Sequence, residues 1–441
     1  MNCKELYAIY GEHPVVTTDS RKCPEGSIFF ALKGETFDGN NYALQALEKG
    51  CAFAVVDNPD VAKQDERLIL VPDVLKALQE LAAYHRKAWG GPVLQITGTN
   101  GKTTTKELIA AVLSEGKHVL FTEGNLNNHI GVPLTLLRIR PGQHDIAVVE
   151  TGANHPGEIA DLCRIVQADI GLITNVGRAH LEGFGSFEGV KQTKGELYDD
   201  IIRRGKQIFI NAFDEDLLEM ALHRGFALRK DALPYVEGRV SKVTPFVEMQ
   251  WQAAVDEPWH TVQTHLIGAY NISNLRAAVT VGLHFGITPD QIDHALSAYT
   301  PTNSRSELRQ SGSNRLIVDA YNANPSSMAA ALTNFSFFND EHKMVILGDM
   351  RELGAESLKE HIKVVEQLRQ MNLERIWLVG EEFRKAFDAS ASCPEKPCEG
   401  SIRLFKDVEE VKAALAAAPV GGSTILIKGS NGTKLYQLAD M

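Results

Sequence analysis

Val93-Leu94-Gln95-Ile96-Thr97-Gly98-Thr99-Asn100-Gly101-Lys102-Thr103-Thr104-Thr105 is an apolar run that breaks into a glycine turn, and the amphipathic stretch 106–113 behind it predicts a helix. Successive backbone N–H groups of such a turn, with a helix N-terminus behind them, can enclose phosphate. Lys102 adds a point charge toward the outer phosphates, and the Thr103 hydroxyl reaches Mg²⁺. The general phosphate loop sets four residues between its glycines. Here Ile96 stands where the first glycine would be, and Gly98 lies three positions before Gly101, so the loop is a short form. An ordinary glycine-rich turn between strand and helix is the alternative. The coincidence of strand, both glycines, lysine and hydroxyl favours a nucleotide, with Gly98, Thr99, Asn100, Gly101, Lys102, Thr103 and Thr104 as its binding loop.

Outward from this stretch, strands alternate with helices: 93–97, 118–122, 145–150, 169–175 and 207–211 read as strands. That alternation implies a mostly parallel sheet covered on both faces. Residues 233–266 carry β-branched and aromatic residues with polar alternation, which suggests an antiparallel appendage. Helical patterning returns over 271–285 and 289–298. Before the central unit, short apolar runs at 27–32, 52–57 and 68–71 suggest a small α/β unit, and Gly90-Gly91-Pro92 breaks the helical pattern of 74–89. After Thr300–Ser304, strands at 316–319, 344–348, 376–380 and 424–428 repeat the alternation, and Ala413–Ala418 reads as the end of an alanine-rich helix. The expected architecture is α/β in three domains: a small α/β domain over 1–90, a central mostly parallel-sheet P-loop ATPase domain over 91–302, and a C-terminal Rossmann-like α/β domain over 303–441.

Composition narrows the function. The 441 residues carry a formal net charge of −11, which argues against a nucleic-acid partner. Six cysteines without paired CxxC spacing suit reduced thiols better than a zinc module or a disulfide framework. The N-terminus lacks the apolar core of a secretory signal, and no run reaches the ~18 apolar residues that cross a bilayer. A cytoplasmic protein with no membrane span is expected.

Glu150 closes the strand 145–150, and the carboxyl ends of strands in an open parallel sheet face the ligand crevice. A carboxylate there would lie near the metal of a nucleotide, although a solvated strand-end glutamate reads equally well. Asn175 ends the next strand, and His180, Glu182 and the run Lys191–Glu196 follow. A lone histidine is more often a structural hydrogen-bonding group than a ligand, so His180 gains weight only where it meets Glu150 and the loop.

Together the short loop, Glu150-Thr151-Gly152, Asn175-Val176-Gly177-Arg178-Ala179-His180-Leu181-Glu182 and Lys191-Gln192-Thr193-Lys194-Gly195-Glu196 resemble the Mur ligases, ATP-dependent amide-forming enzymes of peptidoglycan synthesis. The resemblance covers essentially the whole chain. Asp19-Ser20-Arg21, residues 26–34 and Asp38-Gly39-Asn40 resemble the family's uridine-diphosphate-binding domain, which implies Ser20, Arg21, Lys33 and Gly34 as contacts. Tyr270-Asn271-Ile272-Ser273-Asn274 resembles the adenine-contacting helix start. Asp319-Ala320-Tyr321-Asn322-Ala323-Asn324-Pro325 and Leu347-Gly348-Asp349-Met350-Arg351-Glu352-Leu353-Gly354 resemble the member that joins D-alanyl-D-alanine to UDP-N-acetylmuramoyl tripeptide. The Asp-Asn-Pro-Arg signature typical of the preceding ligase is missing. Asn324 before Pro325 also reads as a helix cap, and the second segment as a strand ending in a tight turn.

The resemblance implies the roles. ATP would phosphorylate the tripeptide carboxylate, and the dipeptide amine would displace phosphate from the acyl phosphate. Lys102, His180 and Lys194 would be catalytic. Thr103, Glu150, His180 and Lys194 would hold two Mg²⁺ ions, with Lys194 carbamylated, since a carbamate offers oxygens to a hard cation where an ammonium cannot. The alternative is an unmodified Lys194 paired with Glu196 or a phosphate. Asn271, Asn274, Arg305 and Asp319 would complete the ATP site, and Asn322, Asn324 and Asp349 would bind the amino substrate. The C-terminal domain would rotate on the linker before Arg305 and exclude water. A monomer is expected. Two departures bear on the amino substrate: Thr99-Asn100 suits the preceding ligase at least as well, and Lys428-Gly429-Ser430-Asn431-Gly432-Thr433 leaves the expected pattern after three residues. The rival readings are that preceding ligase, which adds lysine or diaminopimelate, a folate polyglutamylating ligase, and a non-catalytic nucleotide switch.

Overall fold

The computed structural model describes residues 1–301, 307–390 and 402–440. Four sheets organise them. Val16–Thr17, Ile28–Phe30, Phe53–Val56 and Leu68–Leu70 form a parallel four-stranded sheet. The central sheet has six strands, all parallel, in the order Ala232–Pro234, Gln207–Ile210, Ile170–Ile173, Val93–Thr97, Ile146–Glu150, Val119–Phe121. Three of these strands, Val93–Thr97, Ile146–Glu150 and Ile170–Ile173, are buried along their whole length, as a sheet with helices on both faces requires.

The chain leaves Val93–Thr97 toward Val119–Phe121 on one side of the sheet and leaves the adjacent Ile170–Ile173 toward Gln207–Ile210 on the other, so the glycine loop opens at a topological switch point. The helix behind it is Lys102–Ser114, four residues longer at its start than the apolar pattern indicates, because Gly101 in the left-handed region turns the chain directly into it.

The appendage is a three-stranded antiparallel sheet, Glu237–Lys242, Glu248–Gln252 and His260–Gln263. It starts later than 233, since Ala232–Pro234 pairs parallel with Gln207–Ile210 and belongs to the central sheet. The last sheet runs Glu307–Ser311, Asn314–Asp319, Thr424–Lys428, Lys343–Gly348, Arg375–Val379, Ile402–Phe405. Its first strand is antiparallel and the rest parallel.

Helix Val74–Trp89 joins the first two sheets. Asp73 caps it, and Gly90 ends it at φ 71°. Leu78, Leu81 and Ala82 pack in one core with Leu6 and Ile28 on one side and Leu136 and Ile159 on the other. Beyond the antiparallel sheet, Ile267 is buried among Ile317, Phe335 and Leu426 of the last sheet and its helix. Apolar burial thus links the sheets at both junctions. Among the described residues no helix is long and apolar enough to cross a membrane.

Candidate active site

Gly98 (φ 143°) and Gly101 (φ 76°) shape the loop. A Cβ on Gly98 would stand 2.1 Å from Thr174 Oγ1, and one on Gly101 2.8 Å from Asn274 Oδ1, so both space and conformation demand glycine. The loop is braced by the end of the neighbouring strand. Asn100 N–H donates to Asn175 Oδ1 at 3.0 Å, while Thr174 Oγ1 and Asn175 Nδ2 donate to the Asn100 carbonyl at 2.7 and 3.0 Å. Lys102 Nζ lies over the loop, donating to the carbonyls of Gly98 and Thr99 at 2.9 and 3.0 Å.

Glu150 is 1% exposed and fully engaged. Its Oε2 accepts the Thr103 hydroxyl at 2.9 Å, its Oε1 accepts Asn127 Nδ2 at 2.8 Å, and its N–H donates to Thr122 Oγ1. A hydroxyl and a carboxylate thus converge beside the loop. Asn274 accepts from Thr105 Oγ1 at 3.0 Å and donates to Asn271 Oδ1 at 2.8 Å, and Asn271 donates to the Ile267 carbonyl. This fixes the turn Ala269–Asn271 against the first turn of the loop helix.

His180 has a left-handed backbone (φ 52°), and its Nδ1 meets the carboxylate of Glu352, itself at φ 62°. That contact leaves Nε2 for another partner, the arrangement common in metal-ligating histidines. Burial pushes the imidazole pKa down, against the pull of Glu352. Lys194 is 2% exposed, with Nζ 3.3 Å from the Ala153 carbonyl and 5.2 Å from the centre of the Phe184 ring. Burial first, and the charge of Lys102 second, lower its pKa to about 7. Glu196, the sequence-based alternative partner, accepts instead from the N–H groups of Gly157 and Ala160.

The last domain closes over this array. Asn324 Nδ2 donates to Asn100 Oδ1 at 2.8 Å, and Asn100 Nδ2 returns to Asn324 Oδ1 at 3.4 Å. Arg178 N–H donates to Ser326 Oγ at 3.2 Å, and Glu182 N–H to the Glu352 carbonyl at 3.3 Å. Asn324 is also the N-cap of Pro325–Ser336, in a capping box with Ser327. One cleft of ≈ 1440 Å³ is lined by Thr99, Asn100, Gly101, Lys102, Thr104, Glu150, His180, Asn271, Asn274, Asp319 and Asn322. It continues along Asp73, Lys76, Gln79 and Glu80 on one wall and Asp161 and Arg164 on the other.

Some expected residues lie elsewhere. Asp349 is not among the lining residues; its carboxylate accepts the N–H groups of Glu382 and Phe383 at 3.1 and 2.9 Å and caps the helix Glu381–Ser390. The resemblance implies an amino-substrate contact for Asp349; here its partners are those of a helix cap. Ser20, Arg21, Lys33 and Gly34 stand apart from the cleft lining, on loops at the carboxyl ends of the first sheet's strands, where Lys33 pairs with Asp57 at 2.8 Å and Arg21 forks onto Asp19. Arg305 lies outside the described residues. Residues with no role assigned from sequence include Asn127, which orients Glu150, Thr105, which orients Asn274, and Lys428, buried beside Asp319.

The donor set suits a hard cation. Glu150 and Thr103 present oxygens beside the phosphate loop, and His180 keeps one ring nitrogen clear of Glu352. Among the described residues no group of three or more His, Cys, Asp or Glu gathers as a cage.

A parallel sheet with a phosphate loop at its switch point, closed by a second α/β domain that contacts that loop, defines a nucleotide-dependent ligase architecture, and the chain belongs to the Mur ligase family. The Mur ligase family catalytic domain matches residues 14–86, the Mur ligase middle domain 96–282, and the Mur ligase glutamate ligase domain 304–431. The UDP-N-acetylmuramoyl-tripeptide–D-alanyl-D-alanine ligase of Escherichia coli K12 is 35% identical over 438 residues, 96% of this chain and 92% of that protein. The Bacillus subtilis 168 protein of the same name is 34% identical over 440 residues, with the same coverage of each. The crystal structure of MurF from Acinetobacter baumannii superposes with a TM-score of 0.83 at 31% identity, covering 96% of this chain and 92% of that one. MurF ligase from Thermotoga maritima in complex with ADP gives 0.81 at 25% identity, covering 96% of each chain.

Proposed function

We propose that this chain is the ATP-dependent ligase that joins D-alanyl-D-alanine to UDP-N-acetylmuramoyl tripeptide in peptidoglycan precursor synthesis. The observation that carries the reading is the single cleft in which Lys102 and Glu150 from the central sheet face Asp319 and Asn322 from the last domain. The preceding ligase and a passive nucleotide switch are disfavoured by the relatives' names and by the catalytic array around the loop.

A carboxylate resists attack by an amine because oxide is a hopeless leaving group. Transfer of the γ-phosphoryl group to the tripeptide carboxylate replaces that leaving group with phosphate. The loop 98–103 binds the triphosphate through backbone N–H groups, with Lys102 turned from the loop carbonyls to the outer phosphates. Asn271 and Asn274 take the adenine side. Thr103 and Glu150 would hold one Mg²⁺ ion and His180 with a carbamylated Lys194 a second. Bound Mg²⁺ supplies neutralisation of the phosphate charge. Carbamylation suits an amine whose pKa burial lowers to about 7, since the neutral form is the nucleophile toward CO₂. Asn322 is left to orient the dipeptide from the last domain, whose closure excludes water.

In this reading residues 1–90 bind the uridine diphosphate end, 91–302 bind ATP, and 303–441 bring the amino substrate. The protein works as a cytoplasmic monomer. Incubation of the pure protein with ATP, Mg²⁺ and UDP-muramoyl tripeptide tests it. ADP release should require D-alanyl-D-alanine, and release driven equally by lysine, diaminopimelate or no acceptor would refute the assignment.

A further inference from the structure

Lys428 ends the strand Thr424–Lys428, and its side chain is 1% exposed although it borders the cleft. Its Nζ donates to Asp319 Oδ2 at 2.6 Å and to the carbonyl of Asn322 at 3.2 Å. An ammonium so far out of water has to be matched by such partners. Both partners belong to one turn, 319–324. Register sets Asp319 opposite Lys428 on neighbouring parallel strands, so the lysine grips the start of that turn and its middle at once. The far end of the same turn is Asn324, whose amide pairs with that of Asn100 on the phosphate loop.

A continuous polar chain therefore runs from Lys428 through the turn 319–324 to the loop that surrounds Lys102. We propose that Lys428 is a positioning residue for phosphoryl transfer: it pins the turn so that Asn324 holds Asn100, and with it the phosphate loop, in the geometry that takes the triphosphate. The inference rests on the reading of 98–103 as the ATP loop. A purely structural ion pair would stabilise the last sheet and leave the loop indifferent, and that difference can be measured.

The experiment is a double-mutant cycle on ADP affinity, with kcat and KM followed in parallel. Lys428→Gln and Asn100→Ala should each weaken ADP binding about tenfold, a change well inside the range of contact-mediated coupling. KM for UDP-muramoyl tripeptide should move less than about twofold, because the first sheet lies beyond this chain of contacts. The double variant should be no weaker than the worse single, since both changes break one connection. Effects that multiply would overturn the proposal and leave Lys428 as a structural ion pair. Should Lys428→Gln lose its cooperative melt, Lys428→Arg takes its place: the charge stays, but a rigid planar fork cannot reproduce both contacts. Unchanged ADP affinity in that variant overturns the proposal equally. Wild type that binds no ADP would sink the nucleotide reading and this inference with it, whereas wild type that binds ADP while the cycle is additive sinks this inference alone.

Discussion

Thr103 Oγ1 donates to Glu150 Oε2 across 2.9 Å, tying the first turn of the loop helix to the end of a strand 47 residues away in sequence. The contact sets a carboxylate charge beside the phosphate loop while keeping it out of bulk water. Glu150→Gln keeps an oxygen for the Thr103 hydroxyl but removes the charge, and Asn127 must turn its amide over to avoid facing a donor. The expected outcome is a protein that melts cooperatively, with kcat lowered about a hundredfold and a Mg²⁺ requirement raised at least about tenfold. Titration of ligation rate against Mg²⁺ reads this out, and an unaltered Mg²⁺ dependence would remove Glu150 from the metal site.

Lys102 presents the second case, because its Nζ donates to two carbonyls of its own loop. Partly buried bonds of this kind contribute about 1 kcal/mol each. A preorganised cation on a transferring phosphoryl group contributes about 3 to 4 kcal/mol of transition-state stabilisation. Lys102→Ala should accordingly shift the melting temperature by only a few degrees while kcat falls several hundredfold. Parallel calorimetry and steady-state kinetics separate the two, and a variant that keeps a tenth of wild-type turnover contradicts the assigned role.

Lys194 makes a prediction with a sign. Its pKa is lowered to about 7, so the neutral amine predominates above that value and the ammonium below it. Carbamylation consumes the neutral amine, so activity should depend on dissolved CO₂ and decline as pH falls below about 7. Lys194→Ala should be inactive, and short free carboxylates should restore part of its turnover by entering the emptied space. Activity that survives thorough CO₂ removal, or a variant that no carboxylate rescues, would count against the modification.

The parts of this molecule legible in sequence are those where local pattern and tertiary role coincide. The stretch from Val93 to Thr105 announces itself because a buried parallel strand is uniformly apolar and a phosphate turn needs glycine at fixed places. Glu307–Ser311 was not legible: an edge strand paired on one side carries no apolar run, and its burial is only intermediate. Asp349 is the reverse case: a family-like segment implies a substrate contact, while the contact that long-range folding gives its carboxylate, with the exposed N–H groups of Glu382 and Phe383 at the start of a helix, has no local signal. Lys428 and Asp319 are 109 residues apart and meet only because the last strand inserts between Asn314–Asp319 and Lys343–Gly348. Such insertion is a property of sheet order, which no local spacing encodes.

His361 carries a stability prediction independent of the chemistry. It is fully buried, its Nε2 accepts from Met350 N–H at 3.0 Å, and its Nδ1 donates to the Ser357 carbonyl at 2.8 Å, so the neutral ring is the form that fits. Burial pushes its pKa below the ordinary value of 6.5, more than nearby Asp349 draws it up. In the unfolded chain the ring takes a proton as pH drops through about 6.5, whereas the folded state resists until lower pH. The unfolded state therefore binds more protons in that window, and stability falls with pH from about 7 downward. Other buried histidines, His85 among them, act in the same direction, so the comparison must be with a single variant. His361→Gln should be less stable than wild type at pH 8, by about 1 to 3 kcal/mol for the broken hydrogen bonds. Between pH 7 and pH 5 it should lose less stability than wild type, because its side chain cannot titrate. Denaturant unfolding at the three pH values decides this, and parallel stability curves for the two proteins would show that His361 does not resist protonation in the folded state.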